Sequence, residues 1–121
     1  MIARRILLAC LLLAMSLLPA SAGNGDGFVK IGDLLHSCKE GVGSPQKLIC
    51  LGYISGIGDT MQVVAVDALL EQTKPLAMCG NARYSAMVQA FVNWAEKHPE
   101  RWEEPRRLGV ITALKELWPC K

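Results

Sequence analysis

The chain is 121 residues long, with 13 Lys and Arg against 11 Asp and Glu, a formal net charge of +2. That excess lies in Arg4 and Arg5, inside a segment read below as an export signal. The rest is formally neutral and carries no basic stripe to argue for nucleic acid. About 99 residues remain after residues 1–22, enough for one domain with a single modest core.

Met1-Ile2-Ala3-Arg4-Arg5 is a short basic head, followed by an apolar run from Ile6 to Leu18 and then Pro19-Ala20-Ser21-Ala22-Gly23. This is the pattern of a secretory signal peptide, residues 1–22, cleaved after Ala22. The apolar run is shorter than the roughly 20 residues of a transmembrane helix, so no membrane association is expected after cleavage. Leu7-Leu8-Ala9-Cys10 imitates a lipoprotein cleavage site, but nine residues leave no room for an apolar core before it. Cys10 is read as apolar filler in a discarded segment, without a lipid.

Residues 23–30 are glycine-rich and read as a loose lead into the domain, so that residues 23–121 form one unit. Ile31 to about Lys39 reads as a first helix with Ile31, Leu34, Leu35 and Cys38 on one side. Ser44-Pro45 then looks like an N-cap followed by proline at the first helical position. The second helix, 45–72, is the centre of the chain. Tyr53, Ile54, Ile57, Met61 and Val64 recur on one face of it. Gly52 and Gly56 stack four residues apart and predict close packing with a neighbouring backbone. Gly56-Ile57-Gly58 begins like a phosphate loop, but no strand precedes it and residue 61 is Met.

Residues 73–83 are irregular, with Pro75, Cys79, Gly80 and Asn81. A third helix is predicted over 84–97, with Tyr84, Met87, Val88, Phe91, Trp94 and Ala95 inward and Pro99 halting it. A fourth is predicted over 103–118, with Pro105 in its first turn and Leu108, Ile111, Leu114, Leu117 and Trp118 inward. Glu103 and Glu104 then sit near its positive end. No stretch alternates like a strand. The reading is a small all-α domain of four helices, stapled by disulfides.

Four cysteines follow the signal: Cys38, Cys50, Cys79 and Cys120. An even number in a small exported domain reads as two disulfides. A metal site is the competitor, but there is no C-x-x-C and the only histidines are His36 and His98. Sequence alone permits three connectivities. Cys38 ends the first helix and Cys50 lies in the first turns of the second, so the two meet across a helical hairpin. Cys79 precedes the third helix and Cys120 follows the fourth, and antiparallel packing brings them to one end. The predicted pairs are Cys38–Cys50 and Cys79–Cys120, worth about 3 and 4 kcal/mol through loop closure.

Catalysis finds little support. His36 sits beside Ser37 on a solvent side, and His98 adjoins Pro99 at a helix end. Ser55 lacks a nucleophile-elbow context, since Tyr53 and Ile57 flank it. Asp59 and Asp67 could share a helix face, with no second element to complete a carboxylate pair. Glu100, Glu103 and Glu104 read as a solvated cluster facing Arg101, Arg106 and Arg107. No enzyme, cofactor or metal is expected. Trp94 and Trp118 fit the core period, whereas Trp102 falls between helices and reads as an interface anchor.

Cys50-x-Gly52-Tyr53-Ile54-x-Gly56-x-x-Asp59, then Cys79, then Val92-x-Trp94 leading to His98-Pro99-Glu100, then Ala113-Leu114 and Pro119-Cys120, form an ordered set. In this the chain resembles the Rap/Tai immunity proteins over most of residues 34–120. It departs from them in lacking a proline shortly after the third cysteine, where Gly80-Asn81 stands. The resemblance implies a dimeric periplasmic immunity protein that blocks the active-site cleft of a peptidoglycan amidase toxin of type VI secretion. That role needs a rigid scaffold and a preorganised projecting segment. Residues 71–83 are the candidate segment, with Glu71, Gln72, Lys74, Asn81 and Arg83, joined by Trp102, as partner-facing residues. The Gly52/Gly56 groove is the alternative seat for a second copy of the chain. The rival class is a periplasmic acid-stress chaperone of the HdeA type, also small, helical and disulfide-bonded.

Overall fold

The computed structural model describes residues 30–66 and 75–121. They hold four α-helices: α1, Ile31–Lys39; α2, Pro45–Val66; α3, Tyr84–Lys97; and α4, Arg106–Leu117. A single 3-10 turn, Pro99–Arg101, follows α3. There is no strand among the described residues, only an isolated antiparallel bridge between Lys30 and Pro105. The fold is all-α. The expected signal peptide, the lead residues 23–29 and residues 67–74, with Asp67 and the expected last turns of α2, lie outside the described residues.

Each helix starts or stops for a local reason. Ser44 Oγ accepts the Lys47 N–H at 3.1 Å, which caps α2 directly before Pro45. The corner before it turns at Gly43, whose φ of 87° is costly for residues with a Cβ. α3 closes at His98, whose N–H returns to Ala95 O, and Pro99 follows. The first amides of α1 find acceptors in the connection between α3 and α4. Ile31 N–H donates to Glu104 O at 2.9 Å and Gly32 N–H to Trp102 O at 3.0 Å. α4 therefore begins at Arg106, later than its predicted start at 103, with Pro105 at the cap position. Glu104 lies outside the helix, holding Arg101 through two bonds of 2.9 and 2.7 Å.

The core is one cluster drawn from all four helices and from Met78. Ile31, Leu34, Leu35 and Cys38 of α1 are buried, with Ile54, Met61 and Val64 of α2 and Met87, Phe91 and Trp94 of α3. Pro45–Ala65 has the length and composition of a membrane span. One face of it packs into this cluster, which is how a core helix passes the same test.

α4 buries Leu114 as predicted but is rotated so that the rest of its inward face differs in part from the prediction. Gly109, Val110, Ala113 and Leu114 are buried, whereas Leu108 and Leu117 are exposed. Ile111 and Trp118 are partly buried against the core. The cause is Gly109. A Cβ there would lie 2.8 Å from Ile31 Cγ1 and 3.2 Å from Trp94 Cζ3, so the missing side chain lets α4 approach α1 and α3. Tyr84 is likewise exposed, because it opens α3 and sends its hydroxyl to Asp59 at 3.2 Å.

Gly52 and Gly56 do not pack against a neighbouring backbone within the chain. A Cβ at either would meet nothing within 4 Å, and both are exposed. The close approaches fall instead at Gly58, two residues further along α2, and at Gly109 of α4. A side chain at Gly58 would collide with Met87, which is fully buried.

Two disulfides staple the bundle. Cys38–Cys50 joins α1 to α2 with Cα atoms 5.1 Å apart, and Cys79–Cys120 joins the start of α3 to the end of α4 with Cα atoms 4.8 Å apart. Lys47 Nζ donates to Cys38 O beside the first bridge. Cys79 N–H donates to Trp118 O at 3.1 Å beside the second.

Candidate partner interface

The segment Pro75–Arg83 crosses from α2 to α3 without regular structure beyond a short turn, yet it is tied at several points. Ala77 and Met78 are buried, and Met78 N–H donates to Met61 O at 3.2 Å. Gln62 Nε2 donates to Gly80 O at 3.1 Å. Gly80 has φ 122°, outside the range of proline and strained for other L residues, and a Cβ there would lie 3.1 Å from Trp118 Cδ1. With Cys79 crosslinked to Cys120, the backbone is fixed while Asn81 and Arg83 remain exposed.

Asn81 and Arg83 line one polar hollow with Asp59, Gln62, Ala82 and Tyr84, of about 330 Å³. The Asp59 carboxylate accepts the Tyr84 hydroxyl, and this bond with its negative charge pushes the Tyr84 pKa up. Glu71, Gln72 and Lys74 lie outside the described residues. Trp102 is not brought to this hollow. It follows the opposite end of α3 from Arg83, roughly 20 Å away by the length of a 14-residue helix. Its indole N–H donates to Ala95 O at 2.8 Å, and its Cβ packs at the Gly32 backbone. With 39 % of its surface exposed, it works first as a strut across the α1 terminus.

A second surface completes the Gly52/Gly56 groove with walls that the sequence did not name. α2 and α4 diverge to leave an open groove of about 500 Å³, lined by Gly52, Tyr53, Gly56, Ile57, Leu76 and Ile111 among others. Among the described residues Arg107 is its only charged lining residue, and Arg106 lies over the Tyr53 ring at 4.0 Å. Along α2 the exposed positions Leu48, Gly52, Gly56, Thr60 and Val63 continue this surface. Their steps of four, four, four and three were legible as a second helical face.

Several other titratable groups pair at the surface. His36 Nε2 lies 3.3 Å from Glu40, and His98 Nδ1 lies 3.0 Å from Glu100 while stacking on Trp94 at 4.7 Å. The Glu100 carboxyl is held below its usual range by its own backbone N–H and then by His98. Glu104 is held down by its bonds to Arg101. Among the described residues no three His, Cys, Asp or Glu side chains gather as a metal site.

A family model described as Rap1a immunity proteins matches residues 30–120, a span holding all four helices and both crosslinks. The chain belongs to the Rap1a immunity proteins. Membership in this immunity family makes its partner a protein, a secreted effector, and supports a role as that effector's immunity protein. Two disulfides in a Rap1a immunity protein also point to an extracytoplasmic location. No curated protein and no solved structure gives a significant match to the chain.

Proposed function

We propose that this immunity protein binds a peptidoglycan amidase delivered by type VI secretion and inhibits it by covering its active-site cleft. The observation that carries the reading is the fixed segment Pro75–Arg83 with its exposed outer end. It is crosslinked at Cys79, anchored by buried Met78, and leaves Asn81 and Arg83 facing outward. A segment held in one shape before contact loses little conformational entropy on binding, which favours tight and specific occupation of a cleft. The resemblance to the Rap/Tai proteins supplies the amidase as the effector class. Inhibition of this kind needs no catalytic group, and the protein transforms no substrate.

In this reading residues 1–22 direct export and are cleaved after Ala22, and residues 23–121 act in the periplasm. The chain works as a homodimer, with the groove between α2 and α4 receiving the second copy. That arrangement is supported by the glycines at 52 and 56, where no Cβ obstructs a partner backbone. It leaves the Asn81 and Arg83 hollow open to the effector.

The test is calorimetric titration of the exported form with amidase effectors at neutral pH. Stoichiometric binding to one amidase, weakened by Arg83→Ala, is the expected result. Failure to bind any amidase, together with suppression of aggregation of many unrelated clients near about pH 2–3, would instead identify an acid-stress chaperone.

A further inference from the structure

The two disulfides differ in their surroundings in a way that has chemical consequences. Cys38 and Cys50 are 1 % and 0 % exposed, whereas Cys79 and Cys120 are both exposed at the surface. Thiol–disulfide exchange requires a thiolate to reach a sulfur, so access decides which bridge reacts. We propose that Cys79–Cys120 is a redox-labile clasp. Its reduction by a dithiol releases residues 79–83 from the end of α4 while the core stapled by Cys38–Cys50 persists.

The step balances as a two-electron exchange. A reductant thiolate attacks one bridge sulfur, forming a mixed disulfide and expelling the other as a thiolate. The reductant's second thiol then closes its own disulfide. Two electrons pass to Cys79 and Cys120, and two protons end on their thiols.

The anchors left behind explain why the rest of the fold survives. Met78 stays buried, with its N–H on Met61 O, so the inner half of the segment keeps its seat. What still holds the outer half is the bond from Cys79 N–H to Trp118 O, the close approach of Gly80 to the Trp118 ring, and the bond from Gln62 Nε2 to Gly80 O. The consequence for immunity rests on the proposed role of this segment, whereas the selective chemistry does not.

The experiment uses the isolated, exported, oxidised protein without any effector. It is treated with dithiothreitol under native conditions, and thiols are trapped over time with iodoacetamide and located by peptide mass mapping. Hydrogen exchange of residues 79–83 and far-ultraviolet circular dichroism are followed on the same samples. Labelling of Cys79 and Cys120 should run at least about tenfold ahead of Cys38 and Cys50, which need local opening first. Exchange at 79–83 should rise at that stage with helix content retained. Simultaneous labelling of all four cysteines, loss of helix with the first bridge, or unchanged exchange at 79–83 would each overturn the proposal.

Discussion

Replacing Gly52 and Gly56 by Ala separates the stability of the chain from its association. Both lie within α2, both are exposed, and an added Cβ meets nothing within 4 Å at either. Helix propensity alone then applies, and each Gly→Ala gains about 1 kcal/mol. For the double variant that is roughly 2 kcal/mol, a rise of about 8–16 °C in Tm for a domain of this size. The same two methyl groups stand on the floor of the groove assigned to a second copy. There they cost about 1–3 kcal/mol of overpacking, roughly 5- to 150-fold in the dimer dissociation constant. Thermal unfolding at protein concentrations below that constant reads the first effect, and sedimentation velocity across a concentration series reads the second. A fall in monomer Tm would mean that α2 packs more tightly at these positions than the fold described here. An unchanged dimer constant would remove the groove as the self-association face.

Gly109→Ala, by contrast, puts a Cβ 2.8 Å from buried Ile31, so overpacking of about 1–3 kcal/mol outweighs the helix gain and lowers Tm. Truncating Trp102 to Ala removes its bond to Ala95 O and its packing on Gly32. Chemical denaturation should show a loss of about 2–3 kcal/mol, less than for a fully buried Trp because 39 % of it is exposed. Asn81→Ala and Arg83→Ala should leave denaturation midpoints nearly unchanged while weakening effector binding by about 1–3 kcal/mol in calorimetry. Acid titration tests the surface carboxylates. Glu100 and Glu104 have folded-state pKa values below their ordinary value. The stability they add is therefore present above the unfolded pKa and fades as pH falls through the folded one, so unfolding midpoints should drop modestly on acidification. Arg101→Gln should flatten that decline by removing the partner of Glu104.

Helix existence and most boundaries were legible because punctuation and period agree. Ser44-Pro45 starts α2, Pro99 stops α3, and α1 buries the four residues its period selects. The helix-end argument also selected the two cysteine pairs that the structure joins. The inward face of α4 was legible only in part, at Leu114, Ile111 and Trp118, because Gly109 rather than the large apolar residues sets the closest approach. Leu108 and Leu117 are apolar in composition but exposed in place. The start of α4 was misplaced because Glu104 gives its carbonyl to Ile31 and its side chain to Arg101. Neither tertiary bond is visible in a window of sequence. Asn81 and Arg83 were found as members of an irregular stretch. The glycine wall of the groove, Gly52 and Gly56, was legible, whereas its other wall at Leu76, Arg107 and Ile111 was not, because it comes from residues distant in sequence.

The central claim is that the protein acts by occupying an amidase. Its most direct measurement is the release of muropeptides from purified peptidoglycan by a cognate amidase, titrated with increasing amounts of the exported chain at neutral pH. Hydrolysis should fall linearly and stop near equimolar protein, with the peptidoglycan untouched by the protein alone. Undiminished hydrolysis at a large excess, or turnover by the protein itself, would contradict the account.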